Sequence, residues 1–214
     1  VSTSIFVNAG SRHEGDDELG IAHFIEHMLF KGTEKRPTSK EVSESIEGIG
    51  GIFNAETGKE LAIYWNKVAK QHWLTALEVL SDLLLHSRFE LEDVEKERKV
   101  IFEEIRMVDD TPDELVYDLF NQHLWPDHPL GRPIQGTLES VSAMTPEKIG
   151  RYFRESYQPA NLLVTATGNL EHEKLVSAIR KAFEPLSNGA APPFSEPPRL
   201  NPGILVKEKK ELGQ

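Results

Sequence analysis

The sequence predicts an α+β fold in which a mixed, mostly antiparallel sheet is layered with helices. Short stretches of alternating apolar residues occur in adjacent runs, and longer stretches with apolar residues at helical spacing lie between them. A chain of 214 residues with 38% hydrophobic content can bury one substantial core. We therefore expect one domain or one lobe, and no class of disordered protein fits.

Five stretches are predicted as strands because β-branched and aromatic residues recur in them and turn residues flank them. Gly50 and Gly51 open the second stretch, which forms a predicted hairpin with the third. The last stretch follows a proline-rich segment that we interpret as an ordered surface connection. The predicted strands cover residues 2–8, 52–55, 60–67, 161–168 and 203–207.

The stretches between them are predicted as helices with one apolar face each. Thr38 is an N-cap, and Gly48 ends the helix that it starts. Thr111-Pro112 and Thr145-Pro146 each place a capping threonine before a proline at the first helical position. Besides a helix around residues 21–29, the predicted helices cover residues 39–46, 71–86, 90–108, 112–124, 147–157 and 171–183.

Composition excludes several classes of function. The net charge of −11, from 35 acidic and 24 basic residues, argues against a nucleic-acid partner and favours a neutral or basic one, such as a cationic peptide. The absence of cysteine excludes disulfides and thiolate metal ligands. The apolar runs are too short to span a bilayer, so we expect no membrane span and a cytoplasmic location.

The residues most indicative of chemistry are His23 and His27, four positions apart, with Glu26 beside the second histidine. On a helix, these three side chains lie within one turn on one face, which also includes Phe30. Two imidazoles in this arrangement can bind one tetrahedral zinc ion that keeps a position for water, as in zinc peptidases. The alternative is a solvated polar face with incidental histidines.

Five apolar residues favour the metal site over that alternative. They form a second face of the same helix, which must pack into a core, so three ionisable groups cluster beside it and need a partner. A divalent cation would be such a partner. The apolar residues are Ile21, Phe24, Ile25, Met28 and Leu29.

A third protein ligand is expected from the acidic helix that starts near residue 90. Glu97 and Glu104 are two turns apart and share a face, which can point both carboxylates at the metal helix. Periodicity alone does not choose among the acidic residues of this helix, and an acidic solvated stripe is the competing interpretation. The candidates are Glu90, Glu92, Asp93, Glu95, Glu97, Glu103 and Glu104.

Three segments resemble the inverted-motif (HxxEH) zinc metallopeptidases of the pitrilysin and mitochondrial processing peptidase family, of the bacterial processing-protease type. They are HFIEHMLFKGT at 23–33, ERKVIFEEI at 97–105 and HPLG at 128–131. The 76 residues between His27 and Glu104 match the interval that this family places before its glutamate ligand. The resemblance implies Zn²⁺ on His23, His27 and Glu104, with Glu103 as the runner-up and Glu97 as a carboxylate that orients a ligand histidine.

The resemblance also implies substrate-binding residues. Segment 50–57 resembles the family's glycine-rich turn and edge strand, which pairs with the substrate backbone, so Asn54 and Ala55 would hold the peptide. Phe30 resembles an aromatic residue that lines the pocket just past the scissile bond. Glu114 and Asp118 match acidic positions that recognise a substrate arginine. Each assignment has a structural alternative. In these alternatives Asn54 is an ordinary turn asparagine, Phe30 is a core aromatic residue, and Glu114 and Asp118 belong to a solvated acidic helix face.

The implied function is zinc-dependent hydrolysis of peptide bonds in extended, basic peptides, with Glu26 as the general base. Ribosylhomocysteine-cleaving enzymes share the motif but need a cysteine ligand, which this chain lacks. A catalytically silent peptide-binding or scaffold subunit of the same family is the other alternative. Such a subunit usually lacks the complete set that this chain has, namely the two histidines, the general base and the distal glutamate (His23, His27, Glu26 and Glu104).

The family works with two homologous lobes that face each other, and this chain resembles the N-terminal, metal-bearing one. We expect residues 1–186 to form that lobe. Residues 187–214 would supply the proline-rich connection and the lobe's last strand. The implied partners are a peptide substrate and a homologous C-terminal lobe or subunit, in a homodimer or heterodimer. The isolated lobe would lack the residues that the other lobe contributes.

Overall fold

A computed structural model describes residues 1–186 and 197–208, and it has the predicted α+β architecture. Its sheet is antiparallel, with the strand order β2-β3-β1-β4. The strands are β1 (Ser2–Val7), β2 (Ile52–Thr57), β3 (Ala62–Lys67) and β4 (Leu162–Thr167). Because β2 pairs with β3 alone among the described strands, one of its two edges is open.

Eight helices surround this sheet in the described ranges. They are α1 (Ile21–Leu29), α2 (Ser39–Glu47), α3 (Trp73–His86), α4 (Leu91–Asp110), α5 (Pro112–Leu124), α6 (Leu138–Ser142), α7 (Pro146–Ser156) and α8 (His172–Phe183). Short 3₁₀ turns at residues 11–13, 70–72, 129–131 and 159–161 connect some of them.

The core lies between the sheet and the helices, and helices α1, α2, α3, α4, α6 and α7 contribute buried residues to it. Buried residues alternate along β1 and β3, and the register pairs Ile5 with Tyr64 on one face of the sheet. Helices α1 and α2 contact β2, and α3 contacts β1 and β3. Helix α4 packs against the outer side of α1, and α5 packs against α4. This layering places the exposed side of α1 against α4.

Local sequence explains several helix boundaries. The Thr38 hydroxyl accepts a hydrogen bond from the backbone N–H of Glu41, whose carboxylate accepts one from the N–H of Thr38, so a complete capping box starts α2. Prolines occupy the first position of α5 and α7 as predicted. Helix α6, which starts at the N-cap Thr137, was missed because five residues are too few to show a helical period.

The expected last strand at 203–207 is wrong. These residues form no strand, and the side chains of Ile204 and Val206 are 91% and 77% exposed. An apolar run becomes a strand only when a sheet edge supplies hydrogen-bond partners, and none of the described strands pairs with it. Within the proline-rich connection, residues 187–196 lie outside the described ranges. The backbone N–H of Asn201 donates a hydrogen bond of 3.0 Å to the carbonyl oxygen of Leu124.

No helix in the described ranges has both the length and the apolar character needed to cross a bilayer.

Candidate metal centre

Helix α1 buries one face completely and leaves the other partly accessible. The apolar face consists of Ile21, Phe24, Ile25, Met28 and Leu29, which have no exposed surface. His23, Glu26 and His27 project from the opposite side and are half-buried. The packing of the apolar face therefore fixes the orientation in which α1 presents the three ionisable side chains.

Helix α4 brings a carboxylate to the two histidines. The Oε2 atom of Glu104 lies 3.4 Å from Nε2 of His27 and 3.8 Å from Nε2 of His23, and the two Nε2 atoms are 3.3 Å apart. With Zn–N distances of about 2.0–2.1 Å, the donor atoms of a tetrahedral site lie about 3.3 Å from one another. The spacing and the chemistry of His23, His27 and Glu104 therefore fit a zinc ion.

His23 is suited to be a neutral ligand. Burial lowers the pKa of His23 to about 4, and the charge of the neighbouring His27 contributes to this shift. A neutral imidazole keeps a nitrogen lone pair that can bind a metal. The other ring nitrogen, Nδ1, is buried without a hydrogen-bond partner in the described part of the chain.

His27 is oriented through its second nitrogen. Its Nδ1 lies 3.1 Å from Oε2 of Glu97, a hydrogen bond that directs Nε2 toward Glu104 and His23. The side chain of Lys31 forms an ion pair with the other oxygen of Glu97. Burial would lower the pKa of His27, but the Glu97 hydrogen bond and the charges of Glu104, Glu97 and Glu26 outweigh burial and raise it.

Glu97 itself is buried and ionised. It is 5% exposed, and burial alone would raise its pKa. The hydrogen bonds from His27 and Lys31, together with their charges, overcome this effect and lower the pKa of Glu97. Lys31 was not predicted from the sequence as part of the site, because nothing in its spacing shows that it reaches α4.

Glu26 lies within electrostatic range of His27 and Glu104. Burial raises the pKa of Glu26, and the Thr57 hydroxyl and His27 oppose the rise without cancelling it. A carboxylate with a raised pKa is a stronger base than a solvated one, which suits a group that must take a proton from water. Thr57, on the inner face of β2, was also missed by sequence reasoning.

The other acidic candidates on the α4 segment point elsewhere. Glu103, one residue before Glu104, is exposed and forms an ion pair with Arg106. Glu90 pairs with Arg88, and Glu95 pairs with Arg98. Lys96 lies near both Glu92 and Asp93. The tertiary packing thus brings only Glu97 and Glu104 of the seven candidates to the histidines.

Three predicted substrate-binding residues lie on or near the open edge of the sheet. Phe30 contacts Phe53 of β2, with ring centroids 5.4 Å apart. Asn54 is exposed on β2, and its side-chain oxygen accepts a hydrogen bond of 2.9 Å from the backbone N–H of Ala55. Ala55 is half-buried and packs against the core. Helix α1 contacts β2, so the open edge lies beside the metal helix.

The predicted acidic pair lies on α5 in two different environments. Glu114 is exposed in the first turn of the helix. Asp118 is half-buried, 3.4 Å from Nε2 of Gln135. Burial raises the pKa of Asp118, Lys59 and Gln135 oppose the rise, and Asp109 adds to it. Glu114 is therefore the freer of the two carboxylates for an incoming cation.

Comparisons with known proteins identify the family of this chain. The family model described as insulinase (peptidase family M16) matches residues 1–138, and the model described as peptidase M16 inactive domain matches residues 143–214. An uncharacterized zinc protease of Mycobacterium leprae is 40% identical over 217 residues, which are 100% of this chain and 48% of that protein. The mitochondrial-processing peptidase subunit beta of Dictyostelium discoideum is 38% identical over 182 residues, which cover 85% of this chain and 39% of that protein.

Solved structures share the fold. A protease from Helicobacter pylori superposes with a TM-score of 0.85 at 26% identity, over 90% of this chain and 47% of that one. Pitrilysin superposes with a TM-score of 0.81 at 20% identity, over 92% of this chain and 22% of the pitrilysin chain. At this identity the likeness shows the fold alone. The chain spans about half the length, or less, of the relatives it matches. It belongs to peptidase family M16, the insulinase and pitrilysin family, whose members include zinc proteases and processing peptidases.

Proposed function

We propose that this chain is the metal-bearing lobe of a zinc-dependent endopeptidase. The observation that supports the proposal most directly is the convergence of donor atoms from His23, His27 and Glu104, at separations of 3.3–3.8 Å that match a tetrahedral zinc site. Relatives of the chain that are named zinc proteases support the same metal.

His23, His27 and Glu104 would hold the ion, and Glu97 would fix the ring of His27. When bound, zinc would act as a Lewis acid that polarises a peptide carbonyl and lowers the pKa of a coordinated water. Glu26 takes a proton from the attacking water as general base and then gives it to the nitrogen of the leaving amine. The raised pKa of Glu26 suits both steps, since the group must bind and release one proton in each turnover.

The proposed substrate is an extended peptide with basic residues. The open edge of β2 offers backbone groups with which such a peptide can pair, and Asn54 and Ala55 lie on that strand. Phe30 would line the pocket just past the scissile bond. Glu114 and Asp118 would attract an arginine of the substrate, in keeping with the net charge of −11.

We further propose that a homologous lobe or subunit completes the site, in a homodimer or heterodimer. Residues 1–186 would form the lobe described above, and residues 187–214 would lead toward the second one. That the chain covers 48% of its Mycobacterium leprae relative supports this division. A catalytically silent scaffold is the alternative, but it gives no reason to keep Glu26, both histidines and Glu104 together.

Replacing Glu26 with Gln in the full-length protein tests the function. The amide keeps the size of the side chain but takes no proton, so we expect peptide hydrolysis to fall by at least about 100-fold. Zinc content, measured by elemental analysis, should stay at about one ion per metal-bearing lobe. Undiminished cleavage by E26Q would show that Glu26 is not the base, and a wild-type protein without zinc would favour the scaffold.

A further inference from the structure

The helix that holds both histidines has no cap of its own. Its N-cap is Gly20, which has no side chain, and its first turn contains no acidic residue. Gly20 has φ +89, and a Cβ atom there would lie 2.7 Å from the carbonyl oxygen of Gln135, so the position requires glycine. The free N–H groups at the start of a helix need acceptors, and here they must come from elsewhere in the chain.

Glu14 supplies two of these acceptors. Its Oε2 atom accepts a hydrogen bond of 2.8 Å from the backbone N–H of Gly20, and its Oε1 atom accepts one of 2.9 Å from the N–H of Ala22. The side chain is buried, with 4% of its surface exposed. One carboxylate therefore holds two backbone positions of α1, and the second of them immediately precedes His23.

Three basic side chains from later in the chain anchor the loop between Glu14 and α1. Arg132 donates a hydrogen bond of 3.1 Å to the backbone oxygen of Glu14. Lys148 and Arg151 form ion pairs of 3.3 and 3.2 Å with Asp17 and Glu18. Because the backbone of this loop is fixed, the Glu14 carboxylate is a fixed point against which the first turn of α1 is held.

We propose that Glu14 is a positioning residue for the metal centre, acting through the first turn of α1 on the placement of His23. The inference rests on the proposed zinc-peptidase function. It follows from the short connection: Ala22 is bonded covalently to His23, and the His23 Nε2 atom must stay near 3.3 Å from Nε2 of His27 for both to bind one ion. A shift of the first turn would open this distance.

The test compares two substitutions that each remove a helix cap in the full-length protein. Glu14→Gln keeps the size of the side chain, but an amide has one acceptor oxygen and a donor NH₂ group, so it cannot accept from both N–H groups. Thr38→Ala removes the cap of α2, a helix without metal-binding candidates. Zinc affinity is measured by competition with a chelator, and ligand geometry by the visible absorption spectrum of the Co²⁺-substituted proteins.

We expect E14Q to bind zinc about tenfold more weakly than the wild type and to show an altered Co²⁺ spectrum. T38A should match the wild type within about twofold in zinc affinity and have the same spectrum, even though it is also destabilised. Wild-type affinity and spectrum in E14Q would overturn the positioning role while leaving the proposed function intact. A wild-type protein that binds no zinc would instead overturn the proposed function.

If E14Q does not fold, hydrogen exchange in the wild type tests the positioning role of Glu14. Zinc binding should slow amide hydrogen exchange at Gly20 and Ala22, because it restrains the turn that Glu14 holds. The amide of Glu41, which Thr38 caps on α2, is the matched internal control and should be unaffected. Exchange rates at Gly20 and Ala22 that do not respond to zinc would contradict the proposal.

Discussion

The candidate metal centre depends on which atom of each residue faces which neighbour. His27 presents Nε2 to His23 and Glu104 because its Nδ1 is bound by Glu97, at 3.1 Å. The Lys31 ammonium group holds the other oxygen of Glu97, so this carboxylate has a fixed orientation. A carboxylate behind a ligand histidine fixes the tautomer of the ring and raises its basicity. The sequence motif alone contains neither interaction.

Replacing Glu97 with Gln should weaken zinc binding by about 10- to 100-fold, because the neutral amide no longer raises the basicity of His27. Chelator competition measures the effect. Glu103→Gln is the matched control on the same helix, since Glu103 is exposed and pairs with Arg106. Equal affinities of E97Q and E103Q for zinc would show that Glu97 does not act on the ion.

At the scale of elements, the site is the contact of α1 with α4. The apolar faces of both helices were predicted from spacing, and their bounds agree with the structure to within a few residues. The start of α1 depends on contacts with distant segments. Asp17 and Glu18, just before the helix, pair with Lys148 and Arg151, and the earlier Glu14 binds the backbone at the helix start.

At the scale of the whole molecule, acidic charge and an open sheet edge support the proposal that the substrates are basic, extended peptides. The helices bring an exposed carboxylate, Glu114, to the start of α5, next to the end of α4. The excess of acidic residues would raise the local concentration of cationic peptides. Specific recognition of arginine, however, requires that one carboxylate contribute more to the binding of an arginine-containing peptide than the overall negative charge does.

Replacing Glu114 with Gln should lower kcat/KM for an arginine-containing peptide by about two- to fivefold, the range expected for one exposed charge pair. The same substitution should leave kcat/KM for a matched alanine peptide nearly unchanged. Glu173→Gln removes an equivalent exposed charge from the first turn of α8 and is the control. Equal losses for both peptides, or for both variants, would remove the claim of specificity.

The sequence by itself determined the fold class, most of the helix and strand boundaries, and the helix with two histidines and a glutamate on one face. These properties follow from local periodicity, caps and turn residues. The resemblance of the chain to the zinc peptidases singled out Glu104 and Glu97 before any geometry was known.

Only the tertiary structure decided which acidic residues of α4 meet α1, that Lys31 holds Glu97, that Glu14 caps the metal helix, and that residues 203–207 form no strand. Each of these depends on contacts between segments far apart in the chain. Side-chain spacing along one helix states which residues share a face, but the packing of the whole core determines what that face meets.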